Sequence, residues 1–252
     1  RFQDMLRQIS VEFGDFAALL EREYIFTWME WDGDNVLAQA GIIDYGSIRR
    51  FGLRHDQYRY DDVERWSTNL NEQKYKAQVM VQIFAQLVHY LESGRKLPLA
   101  HFESHWSAKV FKKTYHDSLR IHFLKQIGFD RAQSDQLLAE QSNLIQRCLF
   151  EFETLEKIKS RERAEKVPDG VNRPASFNMK RLLCELSEEL SNETNVSGAF
   201  PLSHITPEWM IKKMLSSYSR RRDRKLTPAL RIKLEEFLSS YRKLVRAAFA
   251  DA

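Results

Sequence analysis

The spacing of apolar residues along the chain predicts long helices over most of its length. From residue 4 to 29, apolar side chains recur close to the 3.6-residue period of an α-helix. Further helices are predicted over 72–91, 99–115, 117–127, 131–165, 177–190, 207–218 and 228–249. The last two follow Thr206 and Thr227, each a capping hydroxyl before a proline suited to the first helical position. These patterns predict a mainly α fold.

The helical pattern is interrupted at about 30–46. A turn-forming cluster at 32–35 (Asp-Gly-Asp-Asn) is followed by short apolar runs at 36–38 and 41–43, and then by 44–46 (Asp-Tyr-Gly). Two short apolar runs separated by a few residues predict one small β-hairpin. Beyond it, residues 47–71 have no strong period and many charges and aromatic rings. We expect a long ordered loop or a lid there.

Composition limits the class of protein. No apolar run approaches the roughly 20 residues that a membrane-spanning helix needs, so we expect no membrane partner and a cytoplasmic location. The cysteines, Cys148 and Cys184, lie in helical apolar patterns and not in a Cys-x-x-Cys spacing. That arrangement favours two buried thiols in a reducing compartment over a disulfide or a zinc site.

Positive charge is concentrated near the end of the chain. The formal net charge of +4 is too small to indicate nucleic acid, which we do not expect as a partner. Residues 207–252, however, contain twelve Lys/Arg against five Asp/Glu, a balance of +7, densest at 220–225. Such a segment either holds phosphates or forms a solvated loop between two helices, and the loop is the favoured interpretation.

The distribution of prolines, glycines and polar residues predicts the domain organisation. Residues 166–178 contain two prolines and a glycine, which indicates a linker. We therefore predict a helical lobe over 1–165 that carries the hairpin, and a C-terminal helical region with a basic tail over 179–252.

The hairpin segment holds the residues with the strongest indication of chemistry. A hairpin of this size returns its end close to its start, so Asn35 and Asp44 are expected to converge. Carboxylate and amide oxygens are ligands that Mg²⁺ prefers, completed by water and nucleotide phosphates. Kinase-type sites combine a loop Asn with a hairpin Asp-x-Gly in this way. The alternative is a polar hairpin in which these residues only form turns.

The same segment resembles the selenoprotein-O (SelO) family of protein adenylyltransferases, which have an atypical kinase fold. The family motif runs Asn-Thr-Asp-Asn, a short hydrophobic hairpin, and Asp-[Phe/Tyr]-Gly. In this chain Asp34 and Asn35 precede Asp44 by the same interval. Weaker similarity continues at 58–60, 66–70 and 111–129, so that the resemblance covers about residues 20–165.

The resemblance implies a kinase-like C-terminal lobe followed by additional helices, in a chain that is a fragment without the N-terminal lobe. It implies Mg²⁺ held by Asn35 and Asp44, and ATP as the nucleotide. Asp34 is then the catalytic base, which accepts a proton from the attacking hydroxyl. The implied reaction transfers AMP from Mg-ATP to a Ser, Thr or Tyr hydroxyl of a protein substrate.

The sequence leaves two other interpretations open. A degenerate kinase-like helical scaffold would bind a partner protein through its aromatic loop or basic C-terminal helices and would have no activity. His101 and His105, four residues apart, suggest metal ligands on one helix face. No Glu completes a His-Glu-x-x-His pattern, so an amphipathic helix is the favoured interpretation there.

Overall fold

The protein is mainly helical, as its apolar spacing predicts. A computed structural model describes residues 1–28, 31–60, 63–160, 175–192 and 201–250. Within these residues it contains eight α-helices and four short strands. The chain divides into two compact units, one formed by Arg1–Phe51 with Gln57–Leu119 and the other by Gly52–Asp56 with Arg120–Ala252. The kinase-like identity of the first lobe remains a prediction.

The first unit is built around two long helices, α1 (Phe2–Glu23) and α2 (Leu70–Ser93), together with the beginning of α3 (Trp106–Gln126). Its largest core cluster includes Phe13, Val81 and Phe111, all fully buried. Gly14 allows α1 to lie close to α3, because a Cβ at this position would be 2.9 Å from the Phe111 carbonyl oxygen.

Residues 47–71 contain three short strands, so the predicted long loop or lid is wrong. Strand β1 (Ile25–Thr27) pairs antiparallel with β2 (Ile48–Arg50), and β3 (Tyr58–Tyr60) pairs antiparallel with β4 (Val63–Thr68). Phe26 stacks on Tyr58 with ring centroids 4.0 Å apart, and Phe51 packs against both rings. Strands β1, β2 and β3 have three residues each, too few for alternation to be visible in the sequence, and the packing of Phe26, Phe51 and Tyr58 helps to stabilise them.

The second unit has one extensive core. It is formed by the end of α3 and by α4 (Arg131–Glu140), α5 (Ser142–Glu156), α6 (Met179–Leu190), α7 (Pro207–Met214) and α8 (Pro228–Ala248). The buried Tyr241 hydroxyl, on α8, donates to the carbonyl oxygens of Ile127 and Leu186. Gly128 has a φ of +106°, and a Cβ there would be 3.0 Å from the Ser187 backbone. These contacts hold α6 and α8 against the end of α3.

Helix limits differ from the apolar pattern in several places. The predicted helices at 99–115 and 117–127 are a short 3₁₀-helix (Leu99–Phe102) followed by the single helix α3. The predicted helix at 131–165 is interrupted at Gln141, between α4 and α5, and α5 ends at Glu156. The starts at Thr206 and Thr227 are confirmed, since each side chain accepts a backbone N–H from the first turn.

The compact units do not follow the predicted domain boundary. Residues 166–174 of the predicted linker lie outside the described residues. The described end of this segment is buried, and Ala175 and Phe177 form antiparallel bridges with Lys159 and Leu215 within the second unit. Helices α4 and α5, placed by the sequence in the first lobe, belong to the second unit.

Candidate functional site

The predicted metal-binding residues lie on an excursion of the chain between β1 and β2. The pairing of Thr27 with Ile48 is extended by a hydrogen bond from the Trp28 N–H to the Ser47 carbonyl. Gln73 of α2 fixes β1 from the side: its Oε1 accepts the Thr27 N–H at 3.0 Å and its Nε2 donates to the Ile25 carbonyl at 2.7 Å. The base of the excursion is therefore anchored to a helix.

The tip of the excursion turns back on itself, but the strands predicted at 36–38 and 41–43 do not form. Val36 and Ile42 form an isolated antiparallel bridge, without extended strands on either side. The Ile43 N–H donates to the Asn35 carbonyl at 2.9 Å. The backbones of the two arms therefore lie side by side at Asn35 and Ile43, and Asp44 is one residue further along the returning arm.

Asp32 fixes the turn that presents Asp34 and Asn35. Its Oδ1 accepts the Asp34 N–H at 3.2 Å and the Asn35 Nδ2 at 3.0 Å, while its carbonyl accepts the Val36 N–H at 2.9 Å. Asp and Asn form such side-chain turns readily, which is the local reason that the cluster folds in this way. The Asp34 side chain is exposed, and none of the residues that the structure describes bonds its carboxylate.

Asp44 begins the short 3₁₀-helix Tyr45–Ser47. One carboxylate oxygen, Oδ1, accepts the Gly46 N–H at 3.0 Å. A Cβ at Gly46 would lie 3.2 Å from that oxygen, so the glycine leaves space for the carboxylate. The half-buried Asp44 is thus held in place by one oxygen.

The donor set fits a Mg²⁺ ion that also binds nucleotide phosphates. Mg²⁺ commonly takes one or two carboxylates and completes its shell with water and phosphate oxygens. Asp44 and Asn35 supply one carboxylate and one amide from the two arms of the excursion. Over the described ranges, no group of three His, Cys, Asp or Glu side chains is arranged to hold a metal by itself. A metal held by Asn35 and Asp44 would take its remaining ligands from water or from a bound nucleotide.

Arg49 adds positive charge next to this motif. Its Nη1 donates to the carbonyls of Gly46 at 3.1 Å and Ile48 at 2.8 Å, and its side chain is exposed. The sequence alone does not single out Arg49, because surface arginines are common. Its only distinguishing mark is its place three residues after the Asp-Tyr-Gly motif.

A second group of polar residues surrounds Phe102 in the first unit. His89, His101 and His105 all have ring centroids 5.5–5.9 Å from that of Phe102, beside a cavity of about 570 Å³. Burial lowers the pKa of His105, and the neighbouring imidazoles of His101 and His89 lower it further. His101 lies in the 3₁₀-helix and His105 precedes α3, so the expected shared helix face is wrong.

The two cysteines differ. Cys148 is buried, and burial raises the pKa of its thiol well above the ordinary value. Cys184 is exposed on α6, so the prediction of two buried thiols is wrong for this residue. The outward face of an amphipathic helix accepts a cysteine as readily as the inward face, and the apolar pattern did not distinguish them.

Comparisons with known proteins give no further identification. No family model, no curated protein and no solved structure matches the chain. Along the described residues, none of the helices has both the length and the apolar character needed to cross a membrane. The cytoplasmic location and the resemblance to SelO proteins stay predictions.

Proposed function

We propose that the protein is a SelO-like nucleotidyltransferase, which transfers AMP from Mg-ATP to a Ser, Thr or Tyr hydroxyl of another protein. The observation that carries this proposal is the hydrogen bond from the Ile43 N–H to the Asn35 carbonyl. This bond holds the two arms of the excursion side by side next to Asn35 and Asp44, which supports a shared role for these residues.

The residues have separate roles in this proposal. Asn35 and Asp44 hold the Mg²⁺, which neutralises phosphate charge when it is bound. Asp34, whose exposed carboxylate accepts no bond from the described residues, accepts the proton of the substrate hydroxyl. The hydroxyl oxygen then forms a bond to the α-phosphorus of ATP, the bond from that phosphorus to the bridging oxygen breaks, and pyrophosphate leaves.

Binding is the first test. We expect Mg-ATP to raise the melting temperature of the natural protein that contains this chain, because binding to the folded state stabilises it by mass action, by about 2.7 kcal/mol at one hundred times the Kd. Asp44→Asn removes a ligand charge and should abolish the rise. Asp4→Asn, at an exposed position on α1, is the matched control and should retain it. No rise at millimolar Mg-ATP in a folded protein would sink the proposal.

Transfer is the second test and separates binding from chemistry. With ATP labelled at the α-phosphate, Asp34→Asn should retain the Mg-ATP shift but lose label transfer to protein, because it removes the base and not a ligand. Label transfer at the wild-type rate by this variant would show that Asp34 is not the base.

A helical interaction scaffold is the second candidate, and one observation favours it. Helix α2 carries a row of exposed apolar side chains at helical spacing: Tyr75, Ile83, Leu87, Tyr90 and Leu91. Several exposed apolar side chains on one helix favour contact with another protein. A scaffold does not require Asp34, Asn35 and Asp44, so the Mg-ATP measurement distinguishes the two candidates.

A further inference from the structure

The second unit contains a cavity of about 180 Å³ beside the first turn of α8. Its lining brings together the segment after α5, the bridge segment before α6 and the loop between α7 and α8. The polar and charged residues that matter are Lys159, Ser176, Arg222, Asp223, Lys225 and Lys233. All belong to Arg120–Ala252, whereas Asp34, Asn35 and Asp44 belong to the first unit.

The basic loop at 220–225 is anchored and not simply a solvated connection. Asp223 is buried, and its Oδ2 accepts the Ser160 hydroxyl at 2.6 Å and the Arg220 N–H at 2.9 Å. The Ser216 N–H donates to the Ser176 carbonyl at 3.1 Å, which attaches the start of the loop to the cavity wall. These bonds hold Arg222 and Lys225 at the cavity in a defined arrangement.

One buried polar group in the wall lacks a partner. The Ser176 hydroxyl is in a residue only 1% exposed and has no hydrogen-bond partner among the described residues. Buried donors without an acceptor are rare in folded proteins. Ser176 lines the cavity, which indicates that a bound group supplies its acceptor. Lys159 lines the same cavity and forms an ion pair with Asp56 at 3.1 Å.

The charge of the lining specifies an anion. Four Lys/Arg side chains against Asp223 leave +3 in the lining, and the ion pair of Lys159 with Asp56 reduces this to +2. The first turn of the 21-residue helix α8 adds the positive end of its dipole. Leu230 donates its N–H to the Thr227 cap, so Ala229 contributes the remaining N–H of that turn.

We propose that this cavity binds a single phosphate group, either as inorganic phosphate or as the monoester of a small molecule. Its volume of about 180 Å³ is smaller than that of sites for whole small-molecule ligands, which have about 300 Å³ or more. Only the phosphate is therefore enclosed, and the rest of an ester lies outside. The proposal does not depend on the proposed nucleotidyltransferase activity.

Calorimetric titration in Mg²⁺-free buffer at constant ionic strength tests this inference, with inorganic phosphate and glycerol 3-phosphate as probes. Both should bind at the same stoichiometry of one if a phosphate group is recognised. The probe that binds more tightly shows which ligand the cavity takes. Tighter binding of inorganic phosphate indicates the free ion, and tighter binding of glycerol 3-phosphate indicates a monoester. The double variant Lys225→Gln with Lys233→Gln should bind at least tenfold more weakly, since each lysine forms a charged contact.

Ser176→Ala provides a readout that charge alone would not change. The loss of one hydrogen bond should weaken phosphate binding by about threefold to tenfold. In the absence of phosphate the variant should be at least as stable to urea as the wild type, because the hydroxyl has no protein partner to lose. Lys212→Gln, an exposed lysine on α7, is the matched control and should leave binding unchanged.

Lys225 and Lys233 are exposed, so their double variant tests phosphate binding even if the Ser176→Ala variant does not fold. Equal phosphate affinity in the wild type, the double variant and the Lys212→Gln control would overturn the proposal. Absence of any binding heat with 10 mM phosphate, about the top of a practical titration range for millimolar affinity, would overturn it as well.

Discussion

The two cysteine thiols of the chain have opposite environments. Cys148 lies in the core of the second unit, where burial disfavours the thiolate and the nearby Glu151 disfavours it further. Cys184 is exposed on α6. Because the thiolate is the reactive form and access is required, the two residues should differ strongly in reactivity.

We expect a disulfide reagent such as DTNB to modify one thiol per folded chain and two after denaturation. Cys184→Ser should eliminate the fast reaction, whereas Cys148→Ser should leave it unchanged. Both single variants remove one sulfur, so each is the control for the other. Two thiols reacting at the same rate in the folded protein would contradict the assigned burial of Cys148.

At the level of elements, Gln73 connects α2 to the base of the candidate site. Both ends of its amide are bonded to the backbone of β1, at Thr27 and Ile25. Gln73 is buried, so loss of its amide leaves two backbone groups without this partner. The position of the excursion that carries Asp34, Asn35 and Asp44 depends on this contact.

Gln73→Leu should lower the free energy of unfolding by about 1–3 kcal/mol, because a buried N–H and a carbonyl lose their partner. Urea denaturation measures the change, and Mg-ATP affinity should fall with it. Gln8→Leu on the exposed side of α1 is the control and should stay within about 0.5 kcal/mol. If both variants are equally stable, Gln73 does not hold β1.

Elements that depend on neighbouring residues could be predicted from the sequence, whereas contacts between distant residues could not. The helix starts at Thr206 and Thr227 depend on one hydroxyl and one proline, so the sequence suffices. The turn-back that brings Asn35 towards Asp44 depends on turn residues close in sequence. The anchor from Gln73 and the stacking of Phe26 on Tyr58 join residues far apart, and no local pattern indicates them.

At the scale of the whole molecule, the mainly α class follows from the apolar period, but the division into units does not. A linker is sought where prolines, glycines and polar residues cluster, yet Ala175 and Phe177 are buried in the second unit. The boundary at Leu119 and Arg120 falls inside the uninterrupted helix α3. The amino-acid composition does not indicate a domain boundary at such a position, because the amphipathic pattern of the helix continues across it.

Phe237 tests the separation of the two cores. It is fully buried in the second unit, with ring centroids 6.1 Å from Phe152 and 6.2 Å from Tyr241. Phe237→Ala should cost about 3–5 kcal/mol through the cavity it leaves. Hydrogen exchange should accelerate in α4–α8 more than in α1 and α2, whose core cluster contains no residue of the altered one.

The control for this prediction is Ile232→Ala on the same helix. Ile232 is exposed, so its truncation should change protection by less than about 0.5 kcal/mol. An equal acceleration of exchange in α2 and α8 of the Phe237→Ala protein would mean that the two cores unfold as one.

The place of the short segment Gly52–Asp56 in the second unit affects which recombined genes encode a stable protein. It belongs to the second unit although it is encoded within the first, and its Arg54 forms an ion pair at 3.0 Å with Glu156, which is 1% exposed. Removing the cation from a buried ion pair strongly destabilises a protein. A single recombination crossover between codons 54 and 156 takes the two partners from different parents, so the pair is kept only where both parents carry the matching residues.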